Sequence, residues 1–410
     1  MASISKSYGK DKHGVSIYQV CWREPDGTQK AKKVHGLKEA KAFKATVERE
    51  IETGQYVPDN NMTVEAYVDK WLESVKKTKK YKTFIDYRLI AKKHIVPALG
   101  KIKLTEVKPL HIRGYLEALL DGGRIDGEEG GLHPTTIKKH RRTLHLIFET
   151  ALEDDLIATN PVSRVKISKI IPKSKERKFV PETLNRDEIH NLLELVRNTR
   201  LKMPVNVALF TATREGEVLA LRWRNLDLEK RIAYVAENLQ RQKTDKGTAL
   251  VFDTPKYGSR YVALPKTLVS LLTQEKESQA ARKVAWGPAY HDYDLVCCHD
   301  NGKPWEPSNI SNNFSKLIKK SGLPKVRYHD LRHTICSTMS EDLGISANTI
   351  ALQAGHTDPG FTSRVYIHSN MSAQIQAVDA FDDYVKPAAG RKPAGVSKKK
   401  NRTRGVSPAR

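Results

Sequence analysis

Apolar and polar positions alternate along HGVSIYQVCWRE, a run rich in β-branched and aromatic residues that predicts a strand. Pro25-Asp26-Gly27 marks a turn, and TQKAKKVHG can return as a second strand. LKEAKAFKATVEREIETG then takes up the helical period, with Gly54 as its stop. The pattern changes after the polar joint PDNN at 58–61. Apolar residues now recur at helical spacing in VEAYVDKWLESVKK, capped by Thr63, and in TFIDYRLIAKKHIV, ended by Pro97. They recur again in PLHIRGYLEALLDGG, ended by its glycines, and in PTTIKKHRRTLHLIFETALEDDLI, opened by Pro134 with Thr135 or Thr136 as cap. DGGRIDGEEGG, between these last two, reads as a flexible loop.

Prolines at 161, 172 and 181 among many Lys and Arg predict an extended basic linker. Periodicity resumes at LNRDEIHNLLELVRN, where Asn185 and Glu188 have capping-box spacing. Helices are expected around 204–210 and 215–223, then strands at RIAYVAE, TALVFDT and RYVALP, then mostly helix from 306 to 384. The expectation is a multidomain chain. A small β+α N-terminal module (1–58) precedes an all-α domain (62–166), a basic linker (167–182), a mixed α/β, mainly α, domain (183–386) and a basic, disordered tail (387–410). No run of about 18 apolar residues is present to cross a membrane, and the N-terminus lacks the apolar core of a secretory signal. Both point to the cytoplasm.

Charge changes this picture. The 410 residues carry a formal net charge of +24, which favours a polyanionic partner, nucleic acid above all. Counted by segment, the excess is +4 in 1–58, +9 in 59–180, +3 in 181–386 and +8 in 387–410. The largest segment is thus nearly neutral. Separate modules would grip phosphates while that segment holds a specific site. Lys138, Lys139, Arg141 and Arg142, near the start of one helix, are candidate DNA contacts. Cys21, Cys297, Cys298 and Cys336 lack zinc-site spacing and read as buried small residues rather than disulfides. No metal or cofactor is expected.

Four stretches of the large domain could do chemistry: LFTATREGEVLALRW with Arg214 and Glu217, TPKYGSRYVALP with Lys256 at a turn between strands, YHDLRHT with His329 and Arg332 on one helical face, and LQAGHTDPGFTSRVYIH with His356 and Tyr366. Breaking a phosphodiester without a metal gathers negative charge on the non-bridging oxygens. Guanidinium forks match two of these at once, so Arg214 and Arg332 suit that task. A tyrosine nucleophile must lose its proton, which His329 could accept (or it could help position the phosphate), and a departing 5′ oxygen needs one, which Lys256 could give. His356 would add a donor.

Arg in T-x-x-R-x-G-E, then H-D-L-R-H-T, then Gly-His followed ten residues later by Tyr resembles the tyrosine recombinase family. ALEDDLIATNPV is similar to the end of that family's core-binding domain. Across 13–385 the layout resembles integrases of temperate phages and conjugative transposons. The resemblance implies an arm-binding N-terminal module, a helical core-binding domain and a tyrosine recombinase catalytic domain. It implies that Arg214, His329, Arg332 and His356 hold the scissile phosphate, that Glu217 supports them, that Lys256 is the general acid and that Tyr366 forms a 3′-phosphotyrosine. Lys243 and Lys246, in a nearby loop, are rivals for the acid. Ala212-Thr213 stands where the family often has Gly-Leu or Gly-Met. The implied partners are double-stranded DNA, with core-type and arm-type sites, and a homotetramer on it, with room for a host bending protein and an excisionase. Two other classes fit less well: a type IB topoisomerase-like enzyme, and a catalytically silent DNA-binding accessory protein.

Overall fold

The computed structural model describes residues 2–5, 9–25, 27–54, 56–57, 61–125, 127–172, 181–244, 247–355 and 367–386. The chain forms two compact units, Met1–Lys178 and Phe179–Arg410. In the first, β1 (Ser3–Ser5), β2 (Ile17–Arg23) and β3 (Gln29–His35) form an antiparallel sheet in that order, backed by α1 (Leu37–Glu52). The alternation read in the sequence has a structural cause. Val20 and Trp22 face α1, where Val20 and Ala40 are buried and Trp22 meets Phe43 edge to face at 5.6 Å. The Trp22 indole donates to Tyr56 (2.7 Å), whose hydroxyl donates to buried Glu24 (2.9 Å). Tyr56 thereby belongs to this small core. Asp26 of the expected turn and 58–60 of the polar joint lie outside the described residues.

The helical region comprises α2 (Val64–Thr78), α3 (Tyr81–Ile90), a π turn (Ala91–Ile95), α4 (Val96–Leu99), α5 (Pro109–Gly122) and α6 (Pro134–Glu153). Thr63 caps α2 through Ala66 N (3.3 Å). Two expectations are corrected. Pro97 does not end its helix, because the π turn hands Val96 N to the Ala91 carbonyl and leaves room for the proline ring. The cap of α6 is His133 rather than Thr135 or Thr136, because its Nδ1 accepts from Thr135 N (3.3 Å). The basic linker also begins later than expected. Val162, Val165, Ile170 and Ile171 are buried in the helical core, so apolar burial holds the chain compact as far as 171. Residues 173–180 lie outside the described residues.

The second unit opens on α7 (Arg186–Val196). There Asn185 accepts from Glu188 N (3.0 Å) and Glu188 accepts from Asn185 N (2.8 Å), completing the capping box. Next come α8 (Lys202–Thr211) and a short α9 (Glu215–Leu219), then strands β4 (Leu226–Asp227), β5 (Ile232–Val235), β6 (Asn238–Thr244), β7 (Gly247–Asp253) and β8 (Arg260–Ala263). Helices α10 (Lys266–Trp286), α11 (Pro307–Ser321), α12 (Asp330–Ser337), α13 (Ala347–Ala354) and α14 (Ile367–Val385) complete it. β4, β5 and β8 form one antiparallel sheet, while β6 and β7 form a separate hairpin. β6, the polar NLQRQKT, was not expected. Consequently β7 and β8 are not partners, and Lys256 lies on the connection between two sheets rather than on a hairpin. The core gathers Phe210, Phe314, Leu331 and Phe381 from four helices. The tail, 387–410, lies outside the described residues.

Candidate active site

The site grows from the end of α8. Ala212 takes a left-handed conformation (φ 55°) at its C-cap. A Cβ is disfavoured there by roughly 1–2 kcal/mol, which accounts for glycine as the commoner residue of the resembling sequences. The turn points the Ala212 carbonyl at Arg332 and starts α9 with Arg214 at its N-cap. One turn on, Glu217 is buried. Its Oε1 accepts from Arg214 Nη1 (2.9 Å), and its Oε2 accepts from Arg214 N (3.1 Å) and Arg260 Nη2 (2.8 Å). Between them, Gly216 lets β6 approach, since a Cβ would meet Asn238 Oδ1 at 2.3 Å and Leu239 O at 2.6 Å. Burial pushes the Glu217 carboxyl up, but the Arg260 and Arg214 guanidiniums outweigh this and hold it below its ordinary value.

Arg332 reaches the same place from α12. It is 3% exposed, and its Nη1 donates to Ala212 O (2.5 Å) and to Ala354 O. Its Nη2 is buried with no hydrogen-bond partner among the described residues. Desolvation, with Arg214 and Arg260 nearby, pulls its pKa down to about 10. A buried cation with a spare donor is a group short of an anion. Arg214 Nη2 donates to Gly355 O (3.1 Å), so α9, α12 and the end of α13 converge on one spot.

His329 stands at the N-cap of α12, its ring 5.3 Å from that of His333. It remains exposed, yet loss of solvent around the ring, then His333, Arg332 and Arg214, all lower its pKa. Desolvation and the cations outweigh the Asp330 carboxylate, which acts the other way, so the shift favours the neutral imidazole. Lys256 is exposed, with Nζ 5.0 Å from the centre of the Tyr257 ring. The Arg214 guanidinium lies 5.0 Å from that same centre. One ring therefore bridges the two cations.

The structure thus brings together Arg214, Glu217 and Arg332, with His329 one turn from Arg332 and Lys256 linked through Tyr257. His356 and Tyr366 lie outside the described residues, as do Lys246 and the side chain of Lys243. Reading the sequence missed Arg260 and Tyr257, although both stand in the quoted TPKYGSRYVALP. Elsewhere, on α6, Lys138, Lys139 and Arg142 are exposed. Arg141 differs, since its guanidinium donates to Val165 O (2.9 Å) and Val162 O (3.4 Å) and braces that segment. Among the described residues, no cluster of three or more His, Cys, Asp or Glu could hold a metal ion, and no helix is long and apolar enough to cross a membrane.

Residues 182–373 match the profile described as the phage integrase family, and 63–120 match the phage integrase N-terminal SAM-like domain. A "Tyrosine recombinase XerC-like" protein of Caldanaerobacter subterraneus subsp. tengcongensis is 26% identical over 399 residues, spanning 93% of this chain and 99% of its own. The ICEBs1 integrase of Bacillus subtilis is 25% identical over 350 residues, 84% of this chain and 90% of its own. Among solved structures, the Tn1549 transposon integrase in complex with a circular intermediate DNA superposes with a TM-score of 0.60. It is 19% identical and covers 76% of this chain and 95% of its own.

Proposed function

Because the chain belongs to the phage integrase family of tyrosine recombinases, we propose that it is a site-specific DNA recombinase working through a 3′-phosphotyrosine. In this reading the Tyr366 oxygen attacks the scissile phosphorus. His329 accepts the phenolic proton or orients the phosphate, while Arg214, Arg332 and His356 stabilise the charge gathering on its non-bridging oxygens. Lys256 protonates the departing 5′ oxygen. The 5′ hydroxyl of the partner strand then attacks the phosphotyrosine, restoring a phosphodiester and freeing Tyr366. Bond energy is held in the protein–DNA linkage, so ATP has no task, and the guanidiniums do the work a metal would do. Four protomers would exchange strands in pairs between two duplexes through a Holliday junction, integrating and excising a mobile element. The N-terminal module would read arm-type sites, the helical domain core-type sites, with Lys138, Lys139 and Arg142 on phosphates. A host bending protein and an excisionase would set direction.

The observation that carries this reading is the convergence of Arg214 and Arg332 around Ala212 and Gly355, with a buried guanidinium nitrogen left unpartnered among the described residues. The experiment is Tyr366→Phe on a nicked suicide substrate carrying the element's own crossover sequence. DNA binding should persist, and the protease-sensitive covalent adduct of the wild type should vanish. An adduct that persists in the Phe variant removes Tyr366 as the nucleophile.

A further inference from the structure

We propose that Arg260 is a positioning residue that ties the Lys256 segment to the turn leading into His356, and so sets the rate of phosphotyrosine formation. The inference rests on the reading of Tyr366, Arg214 and His356 given above.

Arg260 begins β8, four residues after Lys256, and its side chain is only 14% exposed. At one end Nη2 donates to Glu217, the carboxylate that also holds the Arg214 guanidinium and backbone. Along its length it lies flat on Gly355. A Cβ at Gly355 would meet Arg260 Nε at 2.6 Å, Cζ at 2.7 Å and Cδ at 2.8 Å. Gly355 is left-handed (φ 68°), ends α13 and immediately precedes His356. Its carbonyl accepts from Arg214. The Arg260 side chain is thus packed between Glu217 and the Gly355 turn, and both of these touch Arg214.

The strand behind it is equally tied. Ala263 N donates to Gln353 Oε1 (3.0 Å) and Gln353 Nε2 donates to Ala263 O (3.0 Å), so β8 grips α13 two residues before the turn. Two anchors, Gln353 and Arg260, therefore fix the end of α13 against one strand. That strand also terminates the connection carrying Lys256 and Tyr257. Moving it moves the acid and the phosphate holders together. Sequence offered no sign of this, since an arginine at the start of a strand in so basic a chain is ordinarily a solvated one.

The test is single-turnover adduct formation by the full chain on suicide DNA, with an ordinary scissile phosphate or with a 5′-bridging sulfur. Sulfur leaves without needing a proton. For Arg260→Met we expect unchanged DNA affinity, unchanged burst amplitude and a rate constant about a hundredfold lower on both substrates, the size expected when reacting groups shift by about 1 Å. Lys256→Ala should be slow on ordinary DNA and regain most of its rate with sulfur. Arg260→Lys keeps a charge beside Glu217 but not the flat group over Gly355, so it should recover only part of the rate.

A wild-type rate constant in Arg260→Met overturns the proposal. So does recovery with sulfur, which would make Arg260 a support of Lys256 alone. A lower amplitude at an unchanged rate constant would show a merely structural role and also overturn it. Should Arg260→Met fail to fold, Arg260→Lys carries the same readings, and full activity there would reduce Arg260 to a counter-charge. Tyr366→Phe run alongside separates the two levels. A persisting adduct there sinks the underlying reading of the site, whereas its loss beside a fully active Arg260→Met sinks only this inference.

Discussion

Glu217→Gln is the perturbation whose cost can be worked most directly from the structure. The carboxylate is 2% exposed and accepts three hydrogen bonds, from Arg214 Nη1, Arg214 N and Arg260 Nη2. Glutamine has the same shape but only one oxygen. Its NH2 would face either Arg214 Nη1 or the Arg214 N–Arg260 Nη2 pair, setting donor against donor. Breaking a buried ion pair by neutralising one side costs about 3–5 kcal/mol. Arg214 and Arg260 keep 21% and 14% of their side chains in solvent, which argues for the lower figure. At about 3 kcal/mol, and about 2–4 °C of Tm per kcal/mol for a unit of this size, the catalytic unit should melt roughly 6–12 °C lower at pH 7. The pH dependence has a definite sign. The folded Glu217 pKa is depressed below its ordinary, unfolded value, so its contribution is fully present above that unfolded value and is lost as pH falls through the folded one. The gap between wild type and variant should stay level from neutrality down to the unfolded carboxyl pKa and close below it. Calorimetry or circular dichroism of the full chain across that range measures both. A variant that melts with the wild type at pH 7 would refute the claim that Glu217 holds the two arginines by charge.

Lys256→Ala should slow cleavage strongly on ordinary DNA and be largely restored by a 5′-bridging sulfur; if Lys243→Ala or Lys246→Ala shows that restoration instead, the acid lies on the β6–β7 side. For the N-terminal module, a fragment starting at Met62 keeps the Thr63 cap of α2 and the Met62 carbonyl that accepts from Leu104 N. It should still form the Tyr366 adduct on core-site DNA but lose integration on substrates needing arm sites. Recombination of full attachment sites as well as wild type would make the module a structural appendage.

Legibility in the sequence followed the source of each signal. Where local chemistry decides the outcome, the sequence reads through to the structure. Thr63 caps α2, the Asn185–Glu188 box opens α7, and Val20 and Trp22 alternate inward because one sheet face packs on α1. Where strand pairing or packing decides, without a side-chain pattern to announce it, it does not. β6 carries no alternation in NLQRQKT, because its strand character comes from pairing with β7 rather than from burial. Without β6, TALVFDT and RYVALP look like two arms of one hairpin, and Lys256 seems to sit at its tip. Pro97 reads as a stop because the π turn that absorbs it has no signature of its own. Arg141 and Arg260 show the same limit for charge. Sequence marks both as cations, and only the fold distinguishes a brace on Val165 O and an anchor on Glu217 from the exposed Lys138 and Lys139.

That distinction explains how a unit carrying only +3 between 181 and 386 can serve a polyanionic substrate. What counts is where the charge is held, not how much there is. Arg214, Arg260 and Arg332 stand close enough to bear on one another, and the buried carboxylate facing them, Glu217, serves the first two directly. Arg332 instead leans on the carbonyl dipoles of Ala212 and Ala354, and keeps Nη2 unpartnered among the described residues. Its burial away from any carboxylate of its own disfavours the charge, so folding has already borne the cost of desolvating it. In the proposed reading, a phosphate arriving at that nitrogen would meet a donor that need not reorient, and the dianionic transition state would gain more from it than the monoanionic ground state. Preorganisation of this kind raises the rate of the chemical step rather than the affinity for DNA. The basic excess in the first unit and the tail is then free to supply affinity, through contacts that salt would weaken.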